Sequence, residues 1–320
     1  MPLLDMPLEQ LRKYEGINPR PGDFDAYWEE ALAELSRVRA DAVRSRADFQ
    51  TSFADCYDLY FTGVRGARIY AKLIIPKNLS GPAPAVVNFH GYTASSWDWY
   101  DKLPYAAAGC VVAALDCRGQ GGLSEDTGGV KGTTINGHII RGLDGDKQDM
   151  LMRHMILDTA QLVRLVMDMP EVDASRVGVM GGSQGGGLSV ACAALVPEVK
   201  AMAFYFPFLS DYKRVWEMDL AANAYAELRT YFRNHDPFHE REDEIFEQLG
   251  YIDVHHLAPR IRAKAFMAAT LMDNICPPST QFAVYNHIPG DKEILIYPDY
   301  GHEGLPHIHD RLFAFLTGNL

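Results

Sequence analysis

Short apolar stretches alternate along the chain with segments in which apolar residues recur at helical spacing. The apolar stretches are rich in branched and aromatic residues, which is typical of strands that are covered on both faces of a sheet. They are APAVVNF (83–89), CVVAAL (110–115), RVGVMG (176–181), KAMAFYF (200–206), KAFMAATL (264–271) and KEILIYP (292–298). This alternation predicts an α/β fold with a mostly parallel central sheet and helices on both faces.

Helical spacing and turn residues predict the remaining elements. The predicted helices are 24–38, 150–168, 186–195, roughly 211–233, 278–287 and 307–316. The segment YDLYFTGVRGARIYAKLIIP predicts two strands that turn at Arg65-Gly66, which makes the N-terminal edge of the sheet antiparallel. We expect one domain over residues 1–320, with a helical extension over about 1–50.

Two connections exceed the usual loop length. Residues 118–149 are rich in glycine and polar side chains, and a helical insertion covers about 209–258. Connections of this length in a compact domain are usually functional or lie at an interface.

Composition and charge exclude several classes of partner. The chain has 320 residues, of which 48% are hydrophobic and 22% charged, so it can bury a large core. Its net charge of -12 argues against nucleic acid and anionic membrane as partners, because long-range repulsion opposes both encounters. The N-terminus has no secretory pattern, and no apolar run is long enough to span a membrane. The five scattered cysteines favour reduced thiols, so we expect a cytoplasmic protein.

A glycine-rich segment between a predicted strand and a predicted helix is the strongest chemical signal. Gly181–Gly185 (GGSQG) fits the G-x-S-x-G pattern, in which a serine nucleophile lies on a sharp strand-to-helix turn. A side chain two residues before or after the serine would collide with neighbouring backbone, which explains the glycines. Ser183 is therefore the candidate nucleophile. A plain glycine-rich turn or a phosphate-binding loop is the alternative, although dinucleotide sites place their glycines near the first βα unit.

The expected partners of such a serine follow in the order that this fold uses, serine, then acid, then histidine. Asp273 lies 90 residues after Ser183, and His302 lies 29 residues after Asp273, each just past a predicted strand. The carboxyl ends of parallel strands meet at one edge of a sheet, where open α/β folds bind ligands. A neutral imidazole activates the serine, and the carboxylate orients the imidazole.

Other interpretations of these residues remain open. Asp273 can instead cap a helix, and Asp299 is a rival carboxylate three residues before His302. His302 can also belong to a metal cluster with Glu303, His307 and His309, although the helical H-E-x-x-H spacing is absent. We predict no metal and no cofactor.

Acyl transfer also needs an oxyanion hole, for which the chain offers two backbone donors. One is the N–H of Gln184, directly after the nucleophile, and the other is the N–H of Tyr92 in the loop His90-Gly91-Tyr92. We interpret His90 as a turn residue rather than a base. The aromatic residues after this loop are candidates for core packing or for an acyl pocket: Trp97, Trp99, Tyr100 and Tyr105.

Four motifs together resemble carbohydrate esterase family seven, the acetyl xylan esterases and cephalosporin C deacetylases. They are RGQGG (118–122), GGSQGGG (181–187), DNICPPST (273–280) and GHE (301–303), and the similarity runs nearly end to end. The resemblance implies an intracellular α/β-hydrolase that removes acetyl groups from small acetylated sugars and from cephalosporin C. It also implies a homo-hexamer, a dimer of trimers whose active sites face an internal cavity.

The same resemblance implies roles for individual residues. Ser183, Asp273 and His302 correspond to the family's triad, and Tyr92 and Gln184 to its oxyanion donors. Arg118-Gly119-Gln120 corresponds to a segment that braces the loops around the site. Met150-Leu151-Met152 departs from the family, which has a tyrosine run there. Methionine is adaptable core filler, so we expect the fold to survive while local loop geometry and substrate preference change.

The sequence thus supports the hypothesis of a serine esterase that deacetylates small esters through an acetyl-enzyme. One alternative is another serine hydrolase, such as a general short-chain carboxylesterase or a peptidase. A noncatalytic binding protein on the same fold is the other alternative, because fold alone does not prove function.

Overall fold

The structure is a computed structural model that describes residues 4–127 and 136–320. In these ranges nine strands form one sheet, and eleven α-helices surround it. The strands are β1 (Val43–Arg46), β2 (Ala54–Thr62), β3 (Arg68–Pro76), β4 (Ala83–Phe89), β5 (Val111–Leu115), β6 (Val172–Gly182), β7 (Ala201–Tyr205), β8 (Lys264–Thr270) and β9 (Lys292–Tyr297). The helices are α1 (Leu8–Leu11), α2 (Phe24–Ser36), α3 (Leu103–Ala107), α4 (Leu151–Met167), α5 (Gln184–Leu195), α6 (Tyr212–Glu217), α7 (Ala226–His235), α8 (Glu242–Gly250), α9 (Val254–Leu257), α10 (Pro278–His287) and α11 (Ile308–Asn319).

The strand order confirms a mostly parallel sheet with an antiparallel N-terminal edge. The order is β1-β2-β3-β5-β4-β6-β7-β8-β9, and all neighbours from β5 to β9 run parallel. The pairs β1-β2, β2-β3 and β3-β5 are antiparallel. Because β4 and β6 to β9 are parallel neighbours, the loops that follow them meet at one edge of the sheet.

The antiparallel edge turns where the sequence predicts. A short 3₁₀ turn, Val64–Gly66, joins β2 to β3, and Arg65 has a φ of 59°, in the left-handed region. The sequence does not predict β1, whose four residues are all exposed. An exposed edge strand of polar residues has no apolar pattern that would reveal it.

Helices cover both faces of the sheet. On one face α4, α5 and α10 contribute to a large apolar core together with alternate residues of the strands. On the other face α3 and α11 pack over a smaller core that contains Val86, Val112 and Met180. Met150, Leu151 and Met152 are buried in the larger core, so the methionines act there as core filler.

The long helix predicted over 211–233 is wrong as a single element. Helix α6 ends at Glu217 and α7 begins at Ala226, because Asp219 and Asn223 adopt left-handed backbone angles that a helix cannot contain. The insertion between β7 and β8 is helical as predicted, with four separate helices.

The long stretch 118–149 contains no strand and no α-helix in its described part, while residues 128–135 lie outside the described residues. None of the helices over 4–127 and 136–320 is long and apolar enough to cross a bilayer. The single-domain assignment over 1–320 stays a prediction.

Candidate active site

The strand-turn-helix context predicted for Ser183 is present. Strand β6 ends at Gly182, α5 begins at Gln184, and Ser183 lies between them with φ 54° and ψ -119°. This conformation is strained for a residue with a side chain, and such strain is concentrated at functional sites. The turn places Ser183 at the carboxyl edge of the sheet, next to the first turn of a helix.

The glycines on either side of Ser183 are required by close backbone contacts. A Cβ atom on Gly185 would lie 2.0 Å from the carbonyl oxygen of Phe89, and one on Gly181 would lie 2.5 Å from the backbone of Gly185. A Cβ atom on Gly187 would lie 2.2 Å from the carbonyl oxygen of Phe208. The turn is therefore packed directly against the backbone of neighbouring segments, as predicted from the motif.

The structure brings Ser183, His302 and Asp273 into one hydrogen-bonded line. The Nε2 atom of His302 lies 3.0 Å from the Ser183 Oγ, and its Nδ1 atom lies 2.9 Å from the Asp273 Oδ2. In the tautomer of His302 that carries its proton on Nδ1, the Nδ1–H group donates to the Asp273 carboxylate, and Nε2 can accept the serine proton. These are the distances that proton transfer from a serine requires.

The carboxylate of Asp273 is fully buried and held by its own loop. Its Oδ1 accepts the backbone N–H groups of Ile275 and Cys276, at 2.9 and 2.8 Å. The rival Asp299 is exposed and makes no hydrogen bond to His302. Of the two candidate carboxylates, the fold therefore places only Asp273 against the imidazole.

An aromatic contact positions the other side of the imidazole. The ring of Phe206, directly after β7, lies 4.3 Å from the ring of His302, measured between centroids. The sequence does not single out Phe206, because it reads as the end of a buried strand.

The proposed alternative of a metal cluster around His302 does not match the geometry. Both imidazole nitrogens of His302 are engaged, and Glu303 accepts the N–H of Gly301 through its carboxylate. Among the described residues, Asp273, Cys276 and His302 are close enough to share an ion. However, burial and the nearby Asp273 carboxylate raise the pKa of the Cys276 thiol well above its usual range, so it keeps its proton.

Two backbone amides near Ser183 are free donors. Within residues 4–127 and 136–320, neither the N–H of Gln184 nor that of Tyr92 donates to another protein group. Gln184 is the first residue of α5, where helix N–H groups have no intrahelical partner. Both amides belong to the loops predicted to hold an oxyanion.

The side chain of Gln120 ties these two loops together. Its carboxamide and that of Gln184 donate to each other at 2.7 and 2.9 Å. The Gln120 Oε1 also accepts the N–H of Thr93, next to Tyr92, at 3.0 Å. Gln120 therefore fixes the loop after β4 relative to the start of α5.

Arg118 holds the segment that carries Gln120 against helix α4. Its guanidinium makes a bidentate ion pair with Asp158 of α4, with both distances 2.6 Å, and both side chains are buried. It also donates to the carbonyl of Val64 at 3.2 Å. These contacts agree with the bracing role that the family resemblance implies.

Histidine side chains position the loop after β4 without taking part in the triad. His90 accepts the N–H of Cys117 through Nε2, at 2.9 Å, and burial lowers its pKa, which favours the neutral ring. His90 thus supports the neighbouring chain through this hydrogen bond, and its interpretation as a turn residue rather than a base stays a prediction. The Tyr92 hydroxyl donates to Nδ1 of His138 at 3.0 Å, and Nε2–H of His138 donates to the carbonyl of Gly119 at 3.1 Å.

A buried carboxylate from the insertion holds the segment that carries His138. Glu227 of α7 accepts the N–H of Ile139 at 2.7 Å, and burial raises the pKa of Glu227 to about 7. No motif in the sequence marks His138 or Glu227, because their contacts join segments that are 46 and 88 residues apart in the chain.

A cavity of about 840 Å³ opens beside Ser183 and His302. Of the four aromatic candidates, Trp97 and Tyr105 line it. Trp99 instead stacks on Phe49, with ring centroids 6.2 Å apart, and Tyr100 is exposed. The cavity is within the usual size range for small-molecule sites.

Comparison with known proteins agrees with this geometry. The acetyl xylan esterase (AXE1) family matches residues 1–319. The chain belongs to this family of carboxylic ester hydrolases. A similar protein, acetyl esterase Axe7A of Xylanibacter ruminicola, is 30% identical over 92% of this chain and 69% of its own length.

Two solved structures of acetyl xylan esterases are closely similar. Acetyl xylan esterase 1 from Thermoanaerobacterium sp. JW/SL YS485 is 59% identical, with a TM-score of 0.96 over 98% of this chain and 99% of that one. The acetyl xylan esterase from Paenibacillus sp. R4 is 36% identical, with a TM-score of 0.93 over 98% of this chain and 100% of that one. The architecture is accordingly that of the α/β-hydrolase fold, as expected.

Proposed function

We propose that this family member is a serine esterase that removes acetyl groups from small acetylated substrates through an acetyl-enzyme intermediate. The substrates are acetylated xylooligosaccharides and acetyl esters of the cephalosporin C type. The observation that carries the proposal is the line from Ser183 through His302 to Asp273, next to two unused amide donors.

In the first half-reaction the Ser183 Oγ attacks the ester carbonyl carbon while Nε2 of His302 takes the hydroxyl proton. The carbonyl oxygen becomes an oxyanion, and the N–H groups of Gln184 and Tyr92 donate to it. The intermediate then breaks its bond to the alcohol oxygen, which receives the proton from His302. Asp273 stabilises the imidazolium through its bond to Nδ1–H and is not itself protonated.

In the second half-reaction water replaces the alcohol. His302 removes a proton from the water as its oxygen attacks the acetyl carbon, and the same oxyanion donors act again. Collapse returns the proton to the Ser183 Oγ and releases acetic acid, which then loses its proton to solvent as acetate. All atoms and charges balance with water as the only co-substrate.

The choice of an acetyl group is supported by family membership and by the names of the relatives, not by the shape of the site. A general short-chain carboxylesterase is the second candidate, because a cavity of about 840 Å³ has room for longer acyl chains. Acyl-chain preference therefore separates the two candidates.

The deciding experiment compares p-nitrophenyl acetate, butyrate and octanoate, with Ser183→Ala and a Ser175→Ala control. Ser175 is an exposed residue of β6, and its hydroxyl donates a hydrogen bond to the carboxylate of Asp173. We expect a strong acetyl preference in wild type and in S175A, and no activity in S183A. A preference for longer chains would favour the second candidate, and activity of S183A would remove Ser183 from the mechanism.

The assembly and location also belong to the proposal. Family resemblance supports a homo-hexamer, a dimer of trimers in the cytoplasm, and the net charge of -12 supports the absence of nucleic acid and membrane partners. Native mass spectrometry tests the assembly, and a monomer would remove the enclosed cavity shared by the active sites.

A further inference from the structure

Several polar side chains on the cavity wall have no hydrogen-bond partner among the residues that the structure describes. Within residues 4–127 and 136–320, the side chains of Asn88, Tyr105 and Tyr205 make no hydrogen bond, and all three line the cavity that contains Ser183. The polar atoms of these three side chains are not fully buried, so they are accessible from the cavity. Lys102 lies on the same wall, with its ammonium 3.5 Å from Asp101.

The fold places these groups on the face of the sheet that α3 and α11 cover. Asn88 alternates along β4 with Val87 and Phe89, which belong to the other core, so it points to the side of Val86. Tyr205, the last residue of β7, packs against the same smaller core. The polar groups therefore interrupt an otherwise apolar wall.

Tyr205 lies immediately beside the nucleophile. It pairs with Gly182 in the sheet, and its carbonyl accepts the N–H of Ser183 at 3.1 Å. A Cβ atom on Gly182 would lie 2.2 Å from the Cζ and 2.6 Å from the hydroxyl oxygen of Tyr205. The phenol thus occupies the space that a side chain at position 182 would need, although the G-x-S-x-G pattern itself does not require glycine there.

The hydroxyl of Tyr205 suits recognition of a neutral oxygen. Burial raises the pKa of Tyr205, so the phenol stays protonated and can both donate and accept. A site with unpaired hydrogen-bonding groups selects ligands that pair them and rejects analogues that lack the matching group. An apolar acyl chain would leave these groups unpaired.

The size of the cavity indicates which part of an ester these groups meet. An acetyl group fills only a small fraction of about 840 Å³. The remaining space, next to Ser183, has room for the alcohol part of the substrate. A sugar alcohol offers several hydroxyl and ring oxygens at the spacing of neighbouring carbons, which suits a wall with several separate polar groups.

We propose that Tyr205, with Asn88 and Tyr105, forms a subsite that binds the hydroxyl groups of the sugar from which the acetyl group is removed. The subsite rests on the proposed function, because it assumes a sugar ester as substrate. Tyr205 is its specificity-determining residue, since its phenol lies beside Gly182, the residue that directly precedes Ser183.

The test is the variant Tyr205→Phe, which removes only the hydroxyl. Tyr60→Phe is the matched control, because Tyr60 lies on β2, does not line the cavity and makes no hydrogen bond through its hydroxyl to any residue that the structure describes. Each variant is assayed with mono-O-acetyl-xylobiose, a sugar ester, and with p-nitrophenyl acetate, whose alcohol part has no hydroxyl group. Thermal unfolding of each variant reports on folding.

We expect Y205F to lose about tenfold in kcat/KM for the sugar ester, mainly through KM, and less than about twofold for p-nitrophenyl acetate. Y60F should change neither value. Tyr105→Phe should shift the same ratio in the same direction by a smaller factor. A double variant of Tyr105 and Tyr205 should lose more sugar-ester selectivity than either single variant.

Other outcomes overturn the subsite in distinguishable ways. Equal losses with both esters would place Tyr205 at the reacting centre, and no loss with either would show that its hydroxyl is not used. Increased activity on p-nitrophenyl octanoate without loss on the sugar ester would assign the cavity to an acyl chain. A wild-type enzyme that hydrolyses p-nitrophenyl acetate but not the sugar ester would reject the sugar substrate of the proposed function, and the subsite with it.

Discussion

The two sides of Ser183 are built in opposite ways. On one side, the closed side, the backbone of β4 touches Gly181 and Gly185, and Gln120 joins two loops through its carboxamide. On the other, the open side, Asn88, Tyr105 and Tyr205 face a cavity with unpaired polar groups. The closed side has no space for an added atom, while the open side has more space than an acetyl group needs.

This difference separates two demands on the site. Reaction requires that donors and proton acceptors keep their positions to within a fraction of an ångström, and dense packing provides this. Selection of a substrate requires space and matching polar groups. Changes on the closed side should therefore lower kcat for every ester, whereas changes on the open side should act on KM for sugar esters.

The largest effect is expected for Asp273→Asn. The asparagine amide would donate to Nδ1 of His302 and stabilise the wrong tautomer, so kcat should fall about 10³- to 10⁴-fold with either ester. Asp299→Asn, at the exposed rival carboxylate, should stay within about twofold. Steady-state kinetics with p-nitrophenyl acetate measure both, and an equal loss in the two variants would contradict the assignment.

Gly185→Ala should produce the next largest effect. Its Cβ would lie 2.0 Å from the Phe89 carbonyl oxygen, so β4 or the start of α5 must move. We expect a loss of roughly 100-fold or more in kcat and a destabilisation of about 1–3 kcal/mol or more, measured by urea unfolding. Gly81→Ala is the control, because a Cβ there meets no atom of the described part of the chain within 4 Å. Normal kcat in G185A would show that the closed side tolerates displacement.

Gln120→Glu tests the clamp between the loops, which is the set of hydrogen bonds that the Gln120 carboxamide makes with Thr93 and Gln184. A carboxylate cannot donate to Gln184, so one of the two carboxamide bonds is lost and two acceptor oxygens face each other. We expect kcat to fall about tenfold for both p-nitrophenyl acetate and mono-O-acetyl-xylobiose. Tyr205→Phe is the contrast, since it should separate these two substrates. A loss in Q120E that differs between the two substrates would contradict the assignment of Gln120 to the closed side.

The last effect concerns the pH dependence of stability and the carboxyl group of Glu227. Its pKa is raised from 4.5 to about 7 in the folded protein, so between these pH values the folded state binds more protons than the unfolded state. Its contribution to stability is therefore complete below about pH 4.5 and declines by up to about 3 kcal/mol as pH approaches 7.

Glu227→Gln removes this titration. The difference in unfolding free energy between wild type and E227Q, measured by urea unfolding, should shift against wild type as pH rises over that window. A difference that is constant between pH 4.5 and 7 would show that Glu227 does not titrate there.

Much of the fold could be predicted from local patterns. The six apolar runs match β4 to β9 closely, because strands buried on both faces carry a continuous apolar signal. The exposed β1 and the break between α6 and α7 could not be predicted, since polar edge residues and left-handed positions at Asp219 and Asn223 leave no trace in hydrophobic periodicity. The prediction for the insertion was therefore correct in its helical type and wrong in the bounds of its helices.

The candidate site also has a part that could be predicted from the sequence and a part that could not. Motif and order were enough to select Ser183, Asp273 and His302, because the chemistry limits which residue types can follow which strands. Only the fold distinguishes Asp273 from Asp299, through burial and the hydrogen bond to His302.

By itself, the sequence determined the order of the six buried strands, the strained turn at Ser183 and the residues of the hydrogen-bonded line, since each depends on nearby residues or on chain order. The tertiary structure alone decided the clamp by Gln120, the support of Tyr92 by His138, and the position of Tyr205 over Gly182. Each of these contacts joins segments that are far apart in the chain. These contacts form because the packing of distant segments determines where each side chain fits. Local sequence patterns do not determine how distant segments pack.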